Sequence, residues 1–185
     1  GTSNTAVGLL SLDANTTGSS NVAVGLNALT LNTTADNNTA IGRSALESNT
    51  TGAQNTAVGT YSLDANTTAS SNTAVGYNSL SANTTGDLNV AVGTNALNSN
   101  TVGDRNVAFG HNALKTFNPA SKSDTYNAAF GLNSLFGCTT GTNNAGIGSL
   151  TLESNTTGGD NTACGTGALQ SNTTASDNTA HGYAA

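Results

Sequence analysis

The sequence has few of the residues from which ordinary globular cores are built. Its 185 residues include no tryptophan, no methionine and one proline, and aromatic residues make up only 4%. Hydrophobic residues of all kinds reach 35%. This composition argues against a conventional core and, taken alone, is typical of a disordered chain.

Charged side chains are also scarce. They make up 8% of the chain, and the formal net charge is −6. A nucleic-acid partner is not expected, because there are too few basic residues to follow a phosphate backbone. No apolar run approaches the roughly 18 residues that span a bilayer, so membrane insertion by this chain is not expected either. The basic residues are Arg43, Arg105, Lys115 and Lys122.

What the sequence has in abundance is a repeat of 17 residues. Each copy opens with Asn-[Thr/Val]-Ala-[Val/Ile]-Gly or a close variant, and a leucine follows four residues after the glycine. We count positions from the first asparagine. Position one is Asn4, Asn21, Asn38, Asn55, Asn72, Asn89, Asn106, Asn127, Asn144, Asn161 and Asn178. Position five is Gly8, Gly25, Gly42, Gly59, Gly76, Gly93, Gly110, Gly131, Gly148, Gly165 and Gly182.

This period predicts an all-β, single-domain parallel β-solenoid (β-roll) that covers residues 1–185, with one 17-residue coil per repeat. The Thr/Val-rich pentapeptide favours a strand, and the Asn-Thr-Thr-[Gly/Ala] tract favours a turn. The glycine fits a corner with a positive φ. The asparagine at position one fits an internal ladder of stacked amides.

The thinness of such a coil favours association of several chains. Each repeat offers one large apolar residue at position four and one leucine at position nine. If one of these faces inward and the other outward, the outward stripe needs a partner to cover it. We therefore expect a homotrimer, with one apolar stripe inside each coil and the other at a shared axis.

The two cysteines are expected to remain free thiols. Cys138 and Cys164 belong to coils two apart. Stacked strands would hold them about 10 Å apart, which is beyond the reach of a disulfide.

The motifs Asn-Thr-Ala-Val-Gly and Asn-Val-Ala-Val-Gly resemble the Asn-Ser-Val-Ala-Ile-Gly signature of trimeric autotransporter adhesin heads. The longer pattern, which continues to Asn-Thr-Thr-Gly, resembles repeats of viral tail fibres and bacterial surface proteins. The resemblance covers the chain except 115–126, although the repeat here is longer than the adhesin unit. It implies a left-handed, homotrimeric roll. Because the chain begins and ends inside a repeat, we expect it to be a fragment of a longer fibre protein. The implied location is extracellular, at a cell surface or on a virion fibre.

The period slips by four residues after Leu114, and the segment 115–126 is unique in the chain. Insertions in solenoids lie on one face and often bind partners. The candidate binding residues here are Lys115, Phe117, Lys122, Asp124 and Tyr126. The alternative is a bulge whose aromatic residues only refill a widened core.

Other candidate sites are weaker. His181 replaces the usual valine at position four, and on a three-fold axis it would form a ring of imidazoles, a speculative metal site. The Asn-Thr-Thr tracts match the N-glycosylation acceptor, but turn chemistry already explains them. Acidic residues pair in two columns, Glu47 with Asp64 and Asp87 with Asp104, without the calcium-binding repeat. No metal or cofactor is expected.

No enzyme motif is present: there is no phosphate-binding glycine loop, no zinc-protease motif and no nucleophile elbow. We expect a rigid spacer and multivalent binding head of an extracellular fibre, with a host or cell-surface receptor or a glycan as partner. The alternative function is an ice-binding solenoid with threonine ladders. In a strand, however, adjacent threonines such as Thr16 and Thr17 would point to opposite faces.

Overall fold

The structure is a computed structural model that describes residues 1–185. It confirms an all-β parallel solenoid with one coil per repeat and no helix. Eleven strands form one parallel sheet in chain order. They are β1 (Thr5–Val7), β2 (Val22–Val24), β3 (Thr39–Ile41), β4 (Thr56–Val58), β5 (Thr73–Val75), β6 (Val90–Val92), β8 (Val107–Phe109), β10 (Ala128–Phe130), β11 (Ala145–Ile147), β12 (Thr162–Cys164) and β13 (Thr179–His181).

Equivalent positions stack directly on one another. Thr5, Ala6 and Val7 of β1 pair with the same positions of β2, and this register is kept along the sheet. The ladder extends beyond the strands, since only 21 of the 116 backbone hydrogen bonds lie within them and most of the other 95 join neighbouring coils. For example, the amide of Leu80 donates to the carbonyl of Ala96 at 2.9 Å. Backbone pairing between turns is therefore a main source of cohesion.

The glycine at position five turns each coil, as the sequence predicts. All eleven have φ between 119° and 142°, a region that L-residues rarely adopt. The glycines also stack closely. A Cβ on Gly76 would lie 2.7 Å from the carbonyl carbon of Gly93. The column therefore requires glycine both for its backbone conformation and for the approach of the next coil.

In each coil, positions seven, nine and seventeen also have a positive φ, although nearly all of these residues carry side chains. The leucine at position nine is one of them, with φ of 52° at Leu80 and 51° at Leu97. A β-branched residue tolerates this conformation poorly. This explains why the buried apolar residue at position nine is leucine in every copy rather than valine or isoleucine.

The interior of each coil is narrow and mixed. Alanine at position three (glycine in one coil), a small alanine, serine or threonine at position eight and leucine at position nine are fully buried in the inner coils. Beside them runs the predicted ladder of asparagines at position one. Asn72, for example, accepts a hydrogen bond from the backbone amide of Asn89 at 2.9 Å, and its Nδ2 donates to the carbonyl of Gly86 at 2.9 Å.

A second internal asparagine ladder occupies position twelve, where the sequence predicted only turn chemistry. Asn66 and Asn83 are fully buried. The Nδ2 of Asn83 donates to Asn66 Oδ1 at 3.1 Å and to the carbonyl of Gly86 at 2.9 Å. Glycosylation of such an asparagine in the folded chain would remove one of its two N–H donors and place a sugar in the buried interior, so we attribute the acceptor motif to the ladder.

The insertion adds a small second sheet. In it, β7 (Gly103–Asp104) pairs in parallel with β9 (Ser123–Asp124). Lys115 keeps its regular position, because its carbonyl accepts from the amide of Ser99, 16 residues earlier, as in other coils. Phe117 takes the place of the ladder asparagine. The irregular part is therefore shorter than 115–126 and begins after Phe117.

Candidate functional surface

The position-four side chains form a single apolar column on the outside of the rod. In the register of the sheet, Val7 stands beside Val24, Val92 beside Phe109, and Ile147 beside Cys164. The column contains no aspartate, glutamate, lysine or arginine, and its last two members are Cys164 and His181. Five members are 41–59% exposed, namely Val7, Ile41, Phe109, Phe130 and Ile147.

The side chains of the column become larger near its middle. Phe109 and Phe130 lie on neighbouring strands, β8 and β10, and their rings stack with centroids 6.4 Å apart. The four positions before Phe109 are isoleucine or valine. Two large rings therefore stand out from a stripe of small β-branched side chains.

The insertion folds back over earlier coils through Lys122. Its Nζ lies 2.6 Å from Asp87 Oδ2, 2.6 Å from the carbonyl of Thr85 and 3.9 Å from Asp104 Oδ1. Asp104 Oδ1 also accepts from the backbone amide of Asp87 at 2.6 Å. The hydrogen bond to Asp87 raises the pKa of Lys122. The lysine thus offsets the repulsion between two stacked carboxylates.

A second group of residues lies at the same insertion. Arg105 Nε donates to Asp124 Oδ1 at 2.7 Å, and the hydroxyl of Tyr126 donates to Asp124 Oδ2 at 2.9 Å. The bond to Arg105, followed by the bond to Tyr126, lowers the pKa of Asp124. The three side chains are exposed. Arg105 was not among the residues suggested by the sequence, because it lies a whole coil before the insertion.

The five sequence candidates do not form one site. Asp124 and Tyr126 lie together, whereas Lys122 belongs to the Asp87–Asp104 pair. The ammonium of Lys115 lies 5.8 Å from the centroid of Phe136. Phe117 is fully buried and packs against Gly103, where a Cβ would lie 2.9 Å from the ring. For Phe117, the core-filling alternative fits better than surface binding.

An acidic pair lies on another edge of the rod. Asn27 donates to Glu47 Oε1 at 3.3 Å, and Asp64 follows Glu47 in the next coil. Asp64 Oδ1 is buried without a hydrogen-bond partner. Burial of the carboxyl, with a smaller contribution from the charge of Glu47, raises the pKa of Asp64 to about 6.

Replacing Asp64 with asparagine is expected to stabilise the protein at neutral pH. A carboxyl whose folded pKa is raised stabilises the fold below its unfolded value near 3.9, and this contribution is lost as the pH rises through about 6. Allowing for the partial exposure of Asp64, we expect a gain of about 1 kcal/mol at pH 7. Thermal unfolding between pH 4 and 7 would measure it; equal pH dependence in wild type and Asp64→Asn would contradict it.

The cysteines lie in different environments. Both are free; Cys138 is buried at position twelve, where its thiol lies 3.6 Å from the carbonyl of Gly141. Burial raises the pKa of the Cys138 thiol to about 12, so this thiol is unreactive. Cys164 lies half-buried in the outer column, directly beside His181 on the next strand.

No protein-family model, curated protein or solved structure matches the chain. The structure contains no helix able to cross a bilayer. The structural features that bear on function are therefore the outer column, the insertion and the continuous hydrogen bonding between coils.

Proposed function

We propose that the chain is a rigid structural and adhesive module of an extracellular fibre, on a bacterial surface or a virion, in which three copies associate along the position-four column. The observation that carries the proposal is the combination of a continuously hydrogen-bonded rod with an outer stripe that is apolar from Val7 to Ile147. The family resemblance of the repeat points the same way.

A second and third copy of the chain are the occupants that best fit the stripe. The apolar stripe runs through the first nine strands of the large sheet and is narrow, because the other outward-facing residue of a strand, at position two, is threonine in six of the eleven strands. A partner must therefore present an equally long, straight and narrow apolar surface, which another copy does. Three narrow ridges can meet at one axis and bury one another, as closed symmetric assemblies do. Exposed apolar surface of this extent marks an interaction site.

Rigidity and repetition would supply the adhesive mechanism. Stacked coils set the length of the rod, and the ladder resists bending. Three copies would present each surface feature three times, so weak contacts gain affinity through multivalency. We place the specific contact with a receptor or glycan at the insertion, where Arg105, Asp124 and Tyr126 expose charged and aromatic groups.

Replacing Phe109 with glutamate is expected to convert a trimer to monomers. The change puts one carboxylate from each chain at the apolar axis, where like charges repel and lose water. The side chain is 53% exposed in the single chain, so the coil itself should fold normally. Light scattering would measure the mass, and circular dichroism would monitor the fold. Thr68→Glu is the control, because Thr68 is exposed outside the column.

A wild-type chain that scatters as a monomer, or a Phe109→Glu variant that remains trimeric, would overturn the proposed assembly. Retention of a trimer by the control is required for the interpretation.

Ice binding is the second candidate function. It is favoured by a column of exposed threonines on successive coils, Thr17, Thr34, Thr51 and Thr68. The preceding threonines are less suitable: the hydroxyl of Thr33, for instance, donates to the carbonyl of Thr50. In later coils the same repeat position carries Val102 and Pro119, so the threonine column does not continue along the rod. Thermal hysteresis of the purified protein would favour ice binding over the adhesive proposal.

A further inference from the structure

We propose that Cys164 and His181 form a binding site for a borderline-soft divalent metal ion, such as Zn²⁺, at the axis of the trimer. The inference rests on the proposed assembly, because no three metal-ligating side chains cluster within one chain. A single copy supplies two donors, and the partner copies complete the coordination.

The two side chains are neighbours by the register of the sheet. Cys164 ends β12, His181 ends β13, and the two residues are direct partners in the parallel pairing. Stacked strands lie about 4.8 Å apart. Both residues occupy position four, whose side chains project away from the coil interior. Cys164 is half-buried and His181 is exposed, so both can reach a ligand on the outer face.

The composition of the column makes this pair distinctive. The other nine residues are valine, isoleucine or phenylalanine. The two departures, Cys164 and His181, are consecutive, and both are residue types that can ligate a metal. An apolar filler explains a cysteine at this position, but it does not explain the neighbouring histidine.

The chemistry of the donors selects the class of ion. Thiolate sulfur and imidazole nitrogen suit Zn²⁺, Co²⁺ and similar ions, whereas Ca²⁺ and Mg²⁺ prefer oxygen ligands. In a three-fold assembly, three sulfurs would lie on one level and three nitrogens on the next. An interchain disulfide fits less well, because three equivalent thiols leave one unpaired.

Co²⁺ is a suitable probe, since its thiolate complexes absorb light where the protein does not. The 185-residue chain would be titrated with Co²⁺ under a non-thiol reductant while light scattering records its mass. We expect a cobalt–thiolate band that saturates at one ion per three chains, disappears on adding Zn²⁺, and is accompanied by a higher melting temperature.

Two variants remove the ligands without disturbing the column. Cys164→Val and His181→Val install the residue that the column carries elsewhere, as at Val75. We expect each to remain trimeric and to lose the band or bind at least tenfold more weakly. The controls are Cys138→Asn, which restores the inner ladder residue, and His111→Asn, which removes the other histidine. Both controls should bind as the wild type does.

The outcomes separate the two proposals. A trimer that shows no cobalt–thiolate band, or whose band survives both valine variants, overturns the metal site and leaves the assembly standing. A monomer in the absence and presence of metal overturns both. Binding by a monomer at one ion per chain also contradicts the axial site.

Discussion

Replacing Gly76 with alanine is expected to lower the free energy of unfolding by roughly 3–5 kcal/mol. Gly76 has a φ of 135°, and an added Cβ would lie 2.7 Å from backbone atoms of Gly93. Both the strained conformation and the clash with the next coil oppose the change. Because Gly76 lies in an inner coil, the chain cannot avoid the cost by fraying at an end. Chemical denaturation at a fixed protein concentration would measure the effect.

Gly86→Ala is the matched control for this prediction. A Cβ on Gly86 would also come close to the next coil, 2.5 Å from the carbonyl oxygen of Gly103, but the φ of Gly86 is not left-handed. Because the equivalent position carries Ala35 and Ala69 in other repeats, the backbone there can shift to accept a methyl group. We expect a change below about 1 kcal/mol there. Equal losses at Gly76 and Gly86 would show that the positive φ is not the controlling factor.

Replacing Asn72 with alanine is the second change with a large expected effect, a loss of roughly 2–4 kcal/mol in the free energy of unfolding. The side chain is fully buried. Its loss would leave the backbone amide of Asn89 without a partner, and the carbonyl of Gly86 would keep only the hydrogen bond from Asn83 Nδ2. Buried backbone groups left unpaired are costly because water cannot replace the lost bonds. Denaturant unfolding would measure the loss.

The exposed turn residue provides the comparison for Asn72. Thr68→Ala removes an exposed side chain from the same coil tract, so a change within about 0.5 kcal/mol is expected. If Asn72→Ala were as mild as Thr68→Ala, the asparagine ladder would not be a main stabilising element.

The sequence predicted the architecture well because its signals repeat. The strands at the pentapeptide, the glycine corner with positive φ, the first asparagine ladder and the free cysteines are all found in the structure. One copy of such a motif would be weak. Eleven copies at a fixed spacing leave parallel stacking as the simplest arrangement.

Other features could not be predicted from the sequence, in part because one residue type can favour two different structures. Asparagine favours both turns and amide ladders, so Asn83 was assigned to a turn although it is buried in a ladder. The left-handed φ of leucines such as Leu80 leaves no mark in hydrophobic periodicity. The consistent absence of valine and isoleucine at that position was the available signal.

The insertion was located but its contacts were not predictable. Lys122 reaches Asp87, 35 residues earlier, and Asp124 meets Arg105 from the preceding coil. Such contacts depend on which coils become neighbours and on the path of an irregular segment. The spacing of the repeat specifies which coils become neighbours, but it carries no information about the path of the irregular segment. The contribution of these exposed ion pairs to stability is expected to be small.

The stacked rings of Phe109 and Phe130 can determine how identical rods align along their length when they associate. A perfectly periodic rod could slide along its partner by one coil and regain every contact. The two large rings among smaller valine and isoleucine side chains remove that freedom. If one chain shifted by one coil, at least one of its rings would face a small side chain of its neighbour, and the packing would be lost. In the proposed trimer the rings would therefore fix the relative height of the three chains, which a repeating sequence alone leaves unspecified.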